Sequence, residues 1–157
     1  MGTEQGAVTQ MTSRIIIILI SSLISACASV PSVQLSPAEI ERQFAVSEGK
    51  ALIFLCRKIE VKGSGLIIPV SLNNQFKGNM GYKTYFRWEV EPGKHTIQAH
   101  MAKGAEIDLM ATEGESYFVY SETTFAFMGQ PGAELTLISR SEGMDAVRSS
   151  KFIAEKP

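Results

Sequence analysis

From Lys50 to Ser141 the chain is a series of short apolar runs broken by Gly, Asn and Pro. KALIFLCRK (50–58) is apolar at every position from Ala51 to Cys56, the pattern of a strand covered on both faces. LIIPVSLNN (66–74) resumes after a Gly-rich break. Its Pro69 marks an edge or a bulge, and Asn73-Asn74 marks a turn. QFKGNMGYK (75–83) reads as a short strand and a further turn. TYFRWEVEPGKHTIQAHM (84–101) alternates best: Phe86, Trp88 and Val90 point one way, Tyr85, Arg87 and Glu89 the other. Beyond Pro92-Gly93, Ile97, Ala99 and Met101 alternate with Gln98 and His100, so the segment predicts a hairpin. AEIDLMATEGESYFVYSE (105–122) repeats the pattern around Glu-Gly-Glu, and AELTLISRS (133–141) is a last strand.

Seven or eight short strands at close spacing predict an all-β fold, a small antiparallel β-sandwich. No alternation of strand and helix calls for a parallel sheet. Ser36-Pro37-Ala38-Glu39 has the order of a helix start, predicting a short N-terminal helix over 37–46. Residues 142–157 form a charged tail with room for a short helix.

The N-terminus follows a different pattern. After Arg14 comes an apolar stretch of about 12 residues ending in Ile24-Ser25-Ala26-Cys27. A helical span needs roughly 20 residues, so this length suits a signal-peptide h-region instead. The four residues resemble the bacterial lipobox. That resemblance implies cleavage before Cys27 and acylation of its thiol and new amine. One buried chain binds reversibly and two or three hold firmly, at about 0.8 kcal/mol per methylene. The expected organisation is a cleaved signal segment over 1–26, an acylated tether over 27–36, a β-sandwich domain with its leading helix over 37–141, and the tail. Met1–Gln10 is long and polar for an n-region, which places the expected translation start at Met11. Ala28 after the lipid site favours the periplasmic face of the outer membrane, since an Asp there retains lipoproteins in the inner membrane.

Composition narrows the partners. The 157 residues carry 45% hydrophobic and 20% charged residues and a formal charge of −1, which suits one globular domain. Basic residues are scattered, so no nucleic-acid partner is expected.

The strands also carry a family resemblance. Gly49-Lys50-Ala51 opening a strand that ends at Arg57, then Pro92-Gly93-Lys94-His95, then Gly114 ahead of Tyr117-Phe118-Val119, resemble the layout of the DUF2846 family. The resemblance spans 49–141. It implies a small antiparallel β-sandwich on a bacterial envelope protein, often a lipoprotein, and no assigned activity.

Few residues offer chemistry. His95 and His100 lie five apart and face opposite sides of a strand, so they cannot share a metal. His95 is expected to bond the backbone of the Pro-Gly turn, and His100 to face solvent. Cys56 reads as a buried, inert thiol. Glu106 and Asp108 share a strand face, which a paired-acid site would need and a solvated face supplies equally. TTFAFMGQPG (123–132) joins two strands yet carries Phe125, Phe127 and Met128. These either cap one end of the sandwich or form a contact patch. The expectation is a non-catalytic module, not an enzyme, with no cofactor and no metal, held on the bilayer through acylated Cys27. It would serve an envelope protein partner. The alternative is a small envelope enzyme, or a cell-wall or glycan-binding domain, with a cleft near Asp108, His95 or His100.

Overall fold

The computed structural model describes residues 30–125 and 129–154. Met11, the expected signal segment and Cys27 lie outside the described residues, as do Phe127 and Met128. Helix α1 (Pro37–Gln43) starts at the expected place. The Ser36 hydroxyl accepts from the Glu39 N–H, and the Glu39 carboxylate accepts from the Ser36 N–H at 2.8 Å, two orphan donors satisfied reciprocally. It ends at Gln43, short of the expected 46.

Strands β1 (Ala51–Arg57), β2 (Ile68–Leu72), β3 (Gln75–Met80), β4 (Thr84–Val90), β5 (Gly93–Ala99), β6 (Ala105–Ala111), β7 (Ser116–Phe125) and β8 (Pro131–Ile138) follow. Helix α2 (Arg140–Arg148) and the two-residue strand β9 (Lys151–Phe152) close the described chain. They form a five-stranded sheet ordered β8-β7-β1-β4-β9 and a four-stranded sheet ordered β3-β2-β5-β6. The chain is therefore an all-β sandwich. Two pairings, β1 with β7 and β4 with β9, are parallel.

Period-2 alternation explains the layers. Ile53 and Leu55 of β1, with Phe86 and Trp88 of β4, pack between the sheets against Val70 and Ile97. Their neighbours Leu52, Phe54, Cys56, Tyr85 and Phe118 face the other way, under Ile40 of α1 and Ala146 and Val147 of α2. This is why β1 is apolar throughout: it is the middle of three layers. Each fully buried Phe or Leu contributes about 1.5–3 kcal/mol. Gly143 seats α2 on Phe118 so closely that a Cβ would collide with the ring. A capping box of Ser139 and Glu142 starts α2. Residues 140–152 are thus packed elements of the fold, and they extend its strand count to nine among the described residues.

The expected hairpin over 84–101 does not form: β4 lies in the five-stranded sheet and β5 in the four-stranded one. Glu91-Pro92 instead carries the chain across the sandwich, and 112–115 does the same between β6 and β7. Alternation could not separate the two outcomes, because hairpin partners and strands facing each other across a core both present every second residue inward. Hairpins do form elsewhere. Asn73 and Asn74 take φ of 52° and 63° between β2 and β3, the left-handed pair that a tight two-residue hairpin turn requires. Pro69 sits inside the central strand β2, one residue before a register shift at Val70/Ser71.

Candidate functional site

The two lateral seams of the sandwich differ. On one side β6 and β8 approach, joined by a bridge between Lys103 and Gly132. On the other side, among the described residues, β4 pairs only with β9, at Thr84 and Tyr85. From Phe86 to Val90 its outer edge carries no strand among the described residues. The ladder fixes which groups face out. Leu52 N–H donates to Glu115 O on the β7 side, and Ile153 N–H donates to Tyr85 O on the outer side of β4. Backbone groups alternate in direction, so Phe86, Trp88 and Val90 bond β1 while Arg87 and Glu89 turn theirs outward.

A groove of about 450 Å³ runs beside this edge, walled by Leu72, Asn73, Gln75, Trp88, Glu89 and His95, among others. The walls are held from several elements. Asn73 Nδ2 donates to His95 Nδ1 at 2.9 Å, and His95 Nε2–H donates to Glu91 O at 2.8 Å. Asn73 Oδ1 also accepts from Thr96 N–H at 2.9 Å. His95, 9% exposed, thus staples the β2–β3 turn to the link between the sheets, and both its nitrogens are engaged. Arg87 donates from Nε to Gln43 O at 2.8 Å and from Nη2 to Ala45 O at 3.0 Å. Hydrogen bonds from Ser47 and then Arg87 hold the Glu89 carboxyl below its ordinary range. One buried side-chain donor of the wall has no acceptor: the indole Nε1 of Trp88, a residue only 3% exposed.

The other expected residues are dispersed. His95 bonds the turn backbone, as anticipated. His100 is exposed, with Nε2 at 2.8 Å from Ser71 Oγ. Asp108 pairs with Lys94 at 2.8 Å and accepts from Thr96 Oγ1 at 2.6 Å, which lowers its pKa. Glu106 accepts from Gln98 Nε2 at 2.8 Å. The two carboxylates therefore have separate partners on a solvated sheet face. Cys56 is fully buried, and burial pushes its thiol pKa far up, so the thiolate nucleophile is suppressed. Burial likewise raises Tyr85 to about 12, and its hydroxyl has no partner. Phe125 ends β7 half-buried, with Lys62 Nζ 4.6 Å from its ring centre. No helix among the described residues is long and apolar enough to cross a membrane. Among them, no three His, Cys, Asp or Glu side chains gather as a metal site would need.

Sequence reasoning missed the free β4 edge and the Trp88 donor. The only signal was β9 itself, two residues after a helix, too short to register as a strand.

These features define a two-sheet β-sandwich with helices over one face and an open groove along one seam. The family described as a protein of unknown function, DUF2846, matches residues 47–133; the chain belongs to that family. An uncharacterized protein of Haemophilus influenzae is 27% identical over 143 residues, spanning 89% of this chain and 83% of its own length.

Proposed function

We propose that the protein is a lipid-anchored bacterial envelope lipoprotein, acylated at Cys27, whose sandwich serves as a non-catalytic binding or accessory module. Its working surface is the groove beside β4, on the periplasmic face of the outer membrane. One observation carries the reading. The groove's titratable side chains are committed to holding the fold, while its uncommitted groups are the outward main chain of Arg87 and Glu89 and the Trp88 indole N–H. Such groups recognise a ligand without transferring protons. An enzyme in this groove would need His95, whose two nitrogens are already spent on Asn73 and Glu91.

Two experiments test the two halves of this proposal. Metabolic labelling with palmitate should mark the native chain and leave Cys27→Ala unmarked. An unlabelled native chain removes the anchor. A photocrosslinking residue at Gln75, on the groove rim, should give a discrete envelope adduct, while one at exposed Met110 on β6, at the opposite edge of the same sheet, should not. An adduct obtained instead from position 125 would move the contact to the Phe125, Phe127 and Met128 loop.

A further inference from the structure

Strand direction sorts the links of the sandwich between its two ends. β1 runs from Ala51 toward Arg57, β4 runs against it with Tyr85 opposite Cys56, and β7 runs alongside it. In the other sheet Ile68 of β2 lies opposite Met80 of β3, and Ala99 of β5 opposite Ala105 of β6. The links 58–67, 81–83 and 100–104 therefore gather at one end, where β7 stops at Phe125 and β9 starts at Lys151. The segments 44–50, 73–74, 91–92 and 112–115 gather at the other. The tether belongs to the first end. Val30 packs on Gly81, where a Cβ would lie 3.1 Å from its side chain. Only Ala28 and Ser29 separate Val30 from Cys27, and three extended residues span at most about 11 Å.

The two ends present different surfaces. At the tether end Val61 is 89% exposed, and Ile59, Ile67 and Tyr82 are exposed as well. The segments of the opposite end carry none of the exposed large hydrophobic side chains found among the described residues. The apolar 58–67 loop is held in place: Arg57, buried at its foot, donates from Nη2 to Gly63 O at 3.1 Å and to Thr123 Oγ1. Apolar side chains grouped in water mark an interaction surface. Charge divides the same way. The links of the tether end carry Lys58, Lys62, Lys83 and Lys103 against Glu60, while the opposite segments carry Glu48, Glu91, Glu113 and Glu115 against Lys50. Glu60 and Glu122 both pair with Lys58, which leaves Lys62, Lys83 and Lys103 as the charge of these links. Lys62 Nζ stands 4.6 Å from the ring centre of Phe125, and Lys83 Nζ 5.5 Å from that of Tyr82. Aromatic rings beside long cationic side chains suit the boundary between hydrocarbon and headgroups.

We propose that this end of the sandwich rests on an anionic bilayer surface, with Val61, Ile59 and Tyr82 entering the interface and Lys62, Lys83 and Lys103 meeting lipid phosphates. The inference rests on the proposed Cys27 anchor and adds an orientation to it. The groove beside β4, whose walls include Asn73, Glu91 and His95, then faces away from the membrane, where a partner can reach it. Each lysine near an anionic surface strengthens binding about five-fold, so the three together contribute on the order of a hundred-fold.

The test uses the acylated full chain in vesicles of phosphatidylcholine with phosphatidylglycerol. A fluorophore is attached at Val61→Cys or, as the control, at Glu113→Cys. Cys56 is buried and the lipid blocks Cys27, so neither takes the label. Spin-labelled lipid should quench the fluorophore at 61 at least several-fold more than at 113. Lys62→Gln, Lys83→Gln and Lys103→Gln together change only exposed side chains, so that variant should fold, and quenching at 61 should drop to its value in phosphatidylcholine alone. Equal quenching at 61 and 113, both strong or both weak, overturns the proposal, as does quenching at 61 that survives in the triple lysine variant. A label at 61 that stays unquenched in vesicles but is shielded in native envelopes assigns this end to a protein partner and overturns it too. Palmitate incorporation reads the anchor separately. An acylated chain unquenched at 61 keeps the anchor and loses this surface; a chain that takes up no palmitate yet is quenched at 61 in a Cys27→Ala background does the reverse.

Discussion

The two seams of this sandwich solve the same problem in opposite ways. Any sheet ends in strands with unpaired main-chain groups, which pair with foreign chains unless covered. At the β6–β8 seam the edges cover each other: Ala133 N–H donates to Lys103 O at 2.9 Å, and Gly132 leaves no room for a side chain between Thr124 and Lys103. At the β4 seam the cover stops after two residues and a groove takes its place. The closed seam reads as stability, and the open one is where the proposed recognition would take place. The lesson is that coverage, not composition, separates the two seams, because both carry polar residues.

The largest effect should come from prying the closed seam apart. In Gly132→Val the new Cβ would lie 2.6 Å from Thr124 Oγ1 and 3.2 Å from Lys103 O. Overpacking of that kind costs about 1–3 kcal/mol, and the backbone oxygen has little freedom to yield. Urea denaturation should show a loss near the top of that range. Gln75→Val, on the exposed rim of the open seam, should stay within about 0.5 kcal/mol. Equal losses at both positions would erase the distinction between the seams.

Next in size is the staple inside the groove. His95→Ala strands Asn73 Nδ2 and the Glu91 carbonyl, so about 2 kcal/mol should be lost. A loss below about 0.5 kcal/mol would mean that water replaces the ring freely, and that the groove wall is not held by His95.

The sequence made the layers legible more readily than the seams. The unbroken apolar run at 51–56 announced a strand covered on both faces, and the helices of α1 and α2 supply the second cover. Ser36 and Glu39 announced their capping box, and Asn73-Asn74 its turn. What stayed hidden was which strands pair. Glu91-Pro92 looks like a hairpin turn because local pattern carries no record of which sheet the next strand joins. The groove depends on that choice: had β4 and β5 paired, no open edge would lie beside His95. Arg57 was hidden for a related reason. It stands at the end of an apolar run, and only the folded 58–67 loop encloses it.

A smaller and more local effect tests the free edge directly. Amide hydrogen exchange should separate neighbours along β4. Phe86 and Trp88, bonded to β1, should exchange near the rate of global unfolding, and Arg87 and Glu89 should exchange faster by orders of magnitude. Comparable protection at all four would show the edge to be covered, and the groove would lose its main-chain donors.

The smallest effect concerns the outer face of the β5–β6 pair, where Lys94 and Thr96 hold the Asp108 carboxyl below its ordinary value. A depressed carboxyl pKa means that the folded state favours the charged form. Its contribution is fully present above the ordinary value near 4 and fades as pH falls through the folded value. Asp108→Asn should therefore melt slightly below the native chain at pH 7, and the gap should close as the pH is lowered toward about 2. Both partners are exposed, so added salt should narrow the gap as well. A gap that persists in acid would assign the loss to the Thr96 hydrogen bond or to strand propensity, leaving charge no part in how that face is held.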